Sequence, residues 1–406
     1  MTAALVSRQG VPDHVPAALV WDHDIDVFAG ELDDPYHAAA RLHEGPDIVW
    51  AKGAYRGQPG WILTRYAQVE AAFLDHRLFS RAENSDFAAL LGVDWRLNPL
   101  EFDPPVHAAY RQVLQPWFQP SAINRLSDMV RGICRELLDG LSGKGGCEFI
   151  EDFASLFPSY VFLELFGLPR DNLPQFMKWE KSFLRGSTIP ERSTAVRSIL
   201  AYLEDHVAWK RNHLGDDLVS AILSARIGDR PLNHGETMGM CMVLYTGGLD
   251  TVLSSLGWYF RQLAMDPALQ TRLQDNPADI PAAVDELLRA YGVTGTMRTV
   301  RADCEFHGVT MRKGDWVVLP TYLASRDPRQ YADPHRIDVD RRGRNMTLAT
   351  GVHNCLGIHL AKLEIRIVLE ETLARFRNIR IPEGAEVKSH TGSVWGVDHL
   401  PLVWEE

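Results

Sequence analysis

The 406-residue sequence predicts a mainly helical fold with smaller β-sheets, an α+β arrangement within one domain spanning residues 1–406. Three observations carry this expectation. Apolar residues recur at helical spacing through most of the chain. Glycine-bounded runs rich in β-formers occupy only a few short stretches. No repeat, low-complexity tract or Gly/Ser- or Pro-rich linker divides the sequence.

The first β region is "DIVWAKGAYRGQPGWILTRY", two short runs around Trp50 and over 61–64, with Gly57 and Gly60 between them. A helix is expected after "FDPPVHAAYRQVL", where Pro104-Pro105 suit a helix start and His107 and Arg111 share a face at i, i+4. A longer helix is expected from about Asn233 to Ala264, opened by Asn233 with Glu236 three residues on and closed before Pro267. It would be roughly 45 Å long, enough to cross the molecule. The second β patch is "CEFHGVTMRKGDWVVLP", with turns at His307-Gly308 and Lys313-Gly314. A last helix follows Cys355, where Ile358, Leu360, Ala361, Leu363, Ile365 and Val368 give a broad apolar face. Small sheets are therefore expected near residues 45–66, 293–320 and 385–404.

Composition narrows the function classes. The 46% hydrophobic and 23% charged fractions are those of an ordinary soluble globular protein. A net charge of −11 opposes nonspecific binding to nucleic acid. Five scattered cysteines (Cys134, Cys147, Cys241, Cys304, Cys355) without a CxxC pair argue against disulfides or a zinc knuckle and for the cytoplasm. The N-terminus has no basic segment followed by an apolar one, so no signal peptide is expected. "MGMCMVLYTGGL" is too short and glycine-rich to span a bilayer, so no membrane association is expected either.

Three stretches can carry chemistry. In "LATGVHNCLGIHLAKLE", Cys355 stands at a helix mouth, where unpaired N–H groups and the helix dipole favour an anion. That setting suits a metal ligand or a reactive thiol, although a lone cysteine is also commonly a small buried hydrophobe. Gly351 and Gly357 remove side chains on either side, as a large flat ligand would require, and His353 can donate to an anionic group on it. In "YTGGLDTVL", Gly247 and Gly248 each cost about 1 kcal/mol in a helix interior. Something must lie against that backbone, or the helix opens there. Asp250 and Thr251 follow; taken singly, they read as a surface charge and a hydroxyl bonded to the preceding turn. In "VDELLRAYG", Glu286 and Arg289 at i, i+3 read by themselves as a solvated helix pair, and Arg298 in "GTMRTV" as an ordinary arginine.

Together these segments resemble the cytochrome P-450 superfamily, the heme-thiolate monooxygenases, over essentially the whole chain. "TGVHNCLG" is similar to the heme loop, "GGLDT" to the oxygen-activating stretch of the central helix and "ELLR" to the family's Glu-x-x-Arg. "FDPPVHAAYR" resembles the segment leading to the heme propionates, and "WILTRYAQVEAAFLDHRLFS" the early strand and helix. "GGLDTV", "EFHGVTMRKGD" and "HTGSVWGVDHLPLVW" resemble most the soluble bacterial enzymes of the camphor-hydroxylase type.

The resemblance implies a long central helix crossing a buried heme b, with Cys355 as the ligand of its iron. It implies propionate binding by His107, Arg111, Arg298 and His353, a structural pair in Glu286 and Arg289, and proton delivery by Asp250 and Thr251. Trp95, Val243, Thr246, Gly247, Thr294, Ser393 and Val394 fall where a substrate pocket is expected. Arg111 and Lys362 fall on a face for an acidic [2Fe-2S] ferredoxin with its own reductase. The implied reaction is hydroxylation of a small apolar substrate, terpenoid or norisoprenoid-like, with dioxygen. Peroxide-driven oxygenation, a non-catalytic heme sensor and a heme-free thiol enzyme are the rival readings. Two departures stand out. Leu348-Ala349 replace the family's Phe-Gly, which implies altered packing beside the sulfur. Trp95 stands where camphor-type enzymes place a tyrosine, which argues against camphor itself.

Overall fold

The computed structural model describes residues 10–21, 34–55, 57–82, 88, 92–185, 188–392 and 394–406. Helices dominate. Cys304–Phe306 and Val309–Met311 pair as a separate hairpin, while the first β patch joins the end of the second in one five-stranded sheet. Its strand order is Ile48–Tyr55, Gln58–Leu63, Trp316–Pro320, Gly295–Val300 and Phe79–Ser80. Trp61 lies opposite Trp50 in the antiparallel hairpin and opposite Val317 in the parallel pair. Its indole is fully buried and donates to Asp315 Oδ2 at 2.9 Å. The turn at His307-Gly308 has φ of 49° and 80°, and Gly314 has φ of 93°, the left-handed geometry that makes glycine useful there. Near the C-terminus, Pro401–Glu405 pairs with Arg377–Arg380 on one side and Gly146–Glu148 on the other, while Lys388–His390 pairs with Gly396–His399.

The expected long helix is two helices, His234–Gly248 and Asp250–Met265, interrupted at Leu249. Its start follows the sequence. Asn233 Oδ1 accepts from Glu236 N at 2.9 Å, and Glu236 Oε2 accepts from Asn233 N at 2.7 Å, satisfying two donors that a helix end leaves open. Glu236 also binds Arg230 at 2.6 Å and accepts from Tyr110 Oη at 2.7 Å, which ties this end to the helix Val106–Leu114. The interruption has a local cause. Two consecutive glycines lower helix stability, and Thr251 Oγ1 donates to Gly247 O at 2.9 Å, a hydroxyl–carbonyl bond of the kind that bends helices. On either side the helices are deeply packed: Met238, Met240, Tyr245, Leu256, Trp258 and Phe260 are all at most 2% exposed.

The segment from Ser325 to Gly357 contains little regular structure, so side chains must hold it. Glu286 and Arg289, on the helix Ile280–Ala290, are both 3% exposed and joined by bonds of 2.8 and 2.9 Å. Arg289 donates to the carbonyls of Ser325 and Pro334, while Glu286 Oε1 accepts from Asp338 N and Arg341 Nε. The pair is thus buried, and losing either partner would strand a charge, which costs about 3–5 kcal/mol.

Ala349 sits in the same segment with φ of 56°. A side chain in that left-handed region costs about 1 kcal/mol, which gives a backbone reason for the glycine expected at this position. In urea unfolding, Ala349→Gly is therefore expected to be neutral or stabilising, and Ala349→Val destabilising by about 1 kcal/mol or more. The reverse order of the two variants would show that the left-handed backbone carries no cost.

Glu364, on the helix Ile358–Arg375, is 3% exposed, and burial pushes its carboxyl up to about 8 from an ordinary value of 4.5. Because the folded value is the higher one, its contribution to stability is intact below pH 4.5 and is lost as pH rises through 8. Glu364→Gln is expected to raise Tm over the wild type at pH 8 and to lose that advantage by pH 4.5. An advantage independent of pH would contradict the burial argument.

Candidate active site

Cys355 lies just before the helix Ile358–Arg375, so two residues separate the sulfur from the first full turn. Its Sγ lies where the Gly357 N–H favours the anion. Its own N–H donates to Leu348 O at 2.9 Å, closing the loop on itself. Arg111 clamps the residue before it, donating from Nη1 to Asn354 O at 2.7 Å and from Nη2 to Asn354 Oδ1 at 3.0 Å. Burial raises the thiol pKa, while the Gly357 N–H and the Arg111 charge pull it down. The sequence predicts a lowered value from the helix mouth; burial reverses that, because desolvation of an anion outweighs one N–H group. A metal ion bound to the sulfur removes that penalty, since a coordinating thiol is deprotonated outright.

The helix break faces open space. Gly247 and Gly248 are exposed although Tyr245, Leu249 and Asp250 around them are 2%, 2% and 4% exposed. A Cβ built at Gly247, Gly248 or Gly357 would meet nothing within 4 Å. Open space therefore lies beside the helix break and beside the turn that follows Cys355. Gly351 has another reason. Its φ is 72° and a Cβ there would lie 2.6 Å from Phe73 O, so the helix Tyr66–Leu74 requires this glycine.

Beside the loop stands a cluster of basic groups. The rings of His107 and His353 meet edge-on at 4.5 Å. Arg298 is 4% exposed, donates to Thr296 Oγ1 and Met297 O, and has no ion pair among the described residues. Burial lowers its pKa to about 9. Burial, with His353 and Arg111 nearby, lowers His107 to about 4, so it is neutral at pH 7. Asp103 is the acid among them. Burial opposes its ionisation, but His353, the Ser80 hydroxyl and the Arg81 N–H hold it well below the usual carboxylate range. His353 Nε2 lies 3.7 Å from Asp103 Oδ1, too far for a hydrogen bond, and that nitrogen is enclosed without a partner. Arg298, enclosed without an ion pair among the described residues, and His353 Nε2, enclosed without a hydrogen-bond partner, suit the carboxylates of heme b. The open space at Gly247, Gly248 and Gly357 suits the close approach of a flat ring. The residues present fit the cofactor.

The acid–alcohol pair differs from its surface reading. Asp250 is buried and receives a long contact from Ser254 Oγ at 3.5 Å. Thr251 is partly exposed, with its hydroxyl on Gly247 O, as the simplest reading expects. Thr246 Oγ1 bonds back to Met242 O at 3.0 Å, and Val243 beside it is partly exposed. Thr294 bridges to Val394, so both stand at one junction. Ser393 lies outside the described residues.

Trp95 is not brought to this place. It packs on Gly235, twelve residues from Gly247, about 18 Å along the helix. Lys362 is paired with Asp285 at 2.6 Å on the surface. Asp103, Asn354 and Arg341 are the participants that sequence reasoning missed. Asp103 had a signal in the "DPP" turn, whereas Asn354 and Arg341 act through contacts distant in sequence.

Comparison with known proteins agrees with this geometry. A family model described as Cytochrome P450 matches residues 280–400. A protein named probable cytochrome P450 127A1, from Sinorhizobium fredii, is 34% identical over 98% of both chains. Mycinamicin IV hydroxylase/epoxidase from Micromonospora griseorubida is 32% identical over 86% of this chain and 90% of its own. The crystal structure of cytochrome P450 CYP101C1 superposes with a TM-score of 0.88 at 31% identity, covering 98% of this chain and 100% of that one. No helix among the described residues is long and apolar enough to cross a membrane. Full-length identity and shared fold show that the chain belongs to the cytochrome P450 family of heme b monooxygenases.

Proposed function

We propose that this monooxygenase hydroxylates a small apolar substrate of terpenoid or norisoprenoid type. Its electrons would come from a [2Fe-2S] ferredoxin with a separate reductase, and it would work as one domain in the cytoplasm. The observation that carries the reading is the buried Asp250 beside the partly exposed Thr251, at a helix break whose two glycines face open space.

Heme b, when bound, supplies the oxygen activation, and a thiolate ligand favours O–O cleavage. The chain supplies the rest. Cys355 Sγ would be the ligand, a role supported by the Arg111–Asn354 clamp on the residue before it and by the nearby Gly357 N–H and Arg111 charge that favour the anion. Arg298, His107 and His353, which cluster beside the loop, would hold the cofactor's carboxylates by charge-assisted bonds. Thr251 Oγ1 can turn from Gly247 O to the open side and pass on its proton. Asp250, enclosed behind it, is the acid able to replenish that proton. Leu244, Val243 and Val394, partly buried against the core, give the neighbourhood an apolar character that favours a substrate with few polar groups. The rim at Arg111 and Lys362 is read as the ferredoxin face, although Lys362 must then leave or share Asp285.

The test is turnover with a ferredoxin, its reductase and dioxygen, using candidates chosen by a substrate-induced spin shift of the heme. Product should require both electrons and dioxygen. Thr251→Ala should keep consuming reductant while product per electron falls by roughly 10²-fold or more. Full coupling in Thr251→Ala, or turnover only with peroxide, would overturn the proton-delivery reading.

A further inference from the structure

The strand Phe79–Ser80 pairs antiparallel with Gly295–Val300, Phe79 opposite Val300 and Ser80 opposite Thr299. Continuing that register by one residue sets Arg81 opposite Arg298. Directly opposed residues of an antiparallel pair share a face, and like charges there repel. Here the repulsion acts where water does not screen it, since Arg298 is 4% exposed.

Among the described residues neither arginine has an ion pair. Arg81 Nε is enclosed without a hydrogen-bond partner, and Arg298 has no ion pair among the described residues. The nearby carboxylate is committed elsewhere: Asp103 Oδ2 accepts from Ser80 Oγ at 2.5 Å, and Oδ1 accepts from the Arg81 backbone N–H at 3.0 Å. His353 Nε2, 3.7 Å from Asp103 Oδ1, is a third enclosed donor without a hydrogen-bond partner in the same cluster. Arg111, to which the resemblance gives a carboxylate-binding role, is instead occupied with Asn354 on the sulfur side.

We infer that Arg81 is a further cofactor-binding residue: its guanidinium, facing Arg298 across the strand pair, binds a heme propionate together with Arg298. The inference rests on the heme-binding reading. It explains why two arginines can be opposed at the edge of the sheet, since a carboxylate between them converts repulsion into two charge-assisted bonds.

The experiment uses full-length holoenzyme and reads heme transfer to excess apomyoglobin together with the heme midpoint potential. Arg81→Gln should lose heme about tenfold faster or more, the worth of one charge-assisted bond. Its midpoint potential should also fall, because removing a cation destabilises the more negative, reduced heme. Arg81→Lys should restore the potential but retain heme less well than arginine does, lacking the planar fork. Unchanged heme loss and potential in a folded Arg81→Gln would overturn the inference. Should that variant fail to fold, Arg81→Lys decides: faster heme loss than wild type supports the role, and equal loss overturns it. A wild-type protein that bound no heme would defeat the heme reading itself.

Discussion

The buried ion pair between Glu286 and Arg289 is the interaction on which the rest of the site depends. A cysteine ligand needs a fixed position, yet the thirty-odd residues before Cys355 contain little helix or strand to fix it. The pair solves this by reaching out of its helix. Arg289 takes the carbonyls of Ser325 and Pro334, and Glu286 takes the Asp338 N–H and the Arg341 guanidinium. Every bond runs from a rigid helix to a segment that lacks its own ladder. With that segment fixed, Leu348 O can receive the Cys355 N–H, and Arg111 can find Asn354.

A second constraint is electrostatic. The protein encloses several donors around one acid, Asp103, whose oxygens are already engaged. An enclosed guanidinium without a counter-charge is costly, and the lowered pKa of Arg298 is the mark of that cost. The buried thiol of Cys355 shows the complementary strain, with its anion disfavoured by desolvation. One ligand carrying a metal cation and two carboxylates relieves both, so binding of heme b and stability of the site are linked.

Much of this was legible in the sequence, for identifiable reasons. Asn233 with Glu236 marked a helix start because a capping box is local, and Gly247-Gly248 marked an opening because its cost is local too. Cys355 stood out once the other segments agreed on a heme. What stayed hidden depends on contacts between distant residues. The union of the two β patches needs Val317 to pair with Trp61, which no window of sequence contains. In the sequence, Gly351 near the cysteine suggests room for a ligand, but Phe73 O is what forbids a side chain there. The resemblance puts Trp95 at the pocket, whereas the fold sets it against Gly235. The departure at Ala349 was visible, but its meaning appeared only with the backbone angle.

The central claim is that Cys355 ligates heme iron as a thiolate, held by the loop that Glu286 and Arg289 fix. The most direct measurement is the absorption spectrum of the purified protein, reduced and exposed to carbon monoxide. The account predicts the red-shifted Soret band of thiolate-ligated heme in the wild type and its loss in Cys355→Ala. A wild-type band without that shift, or a shifted band that survived in Cys355→Ala, would contradict it.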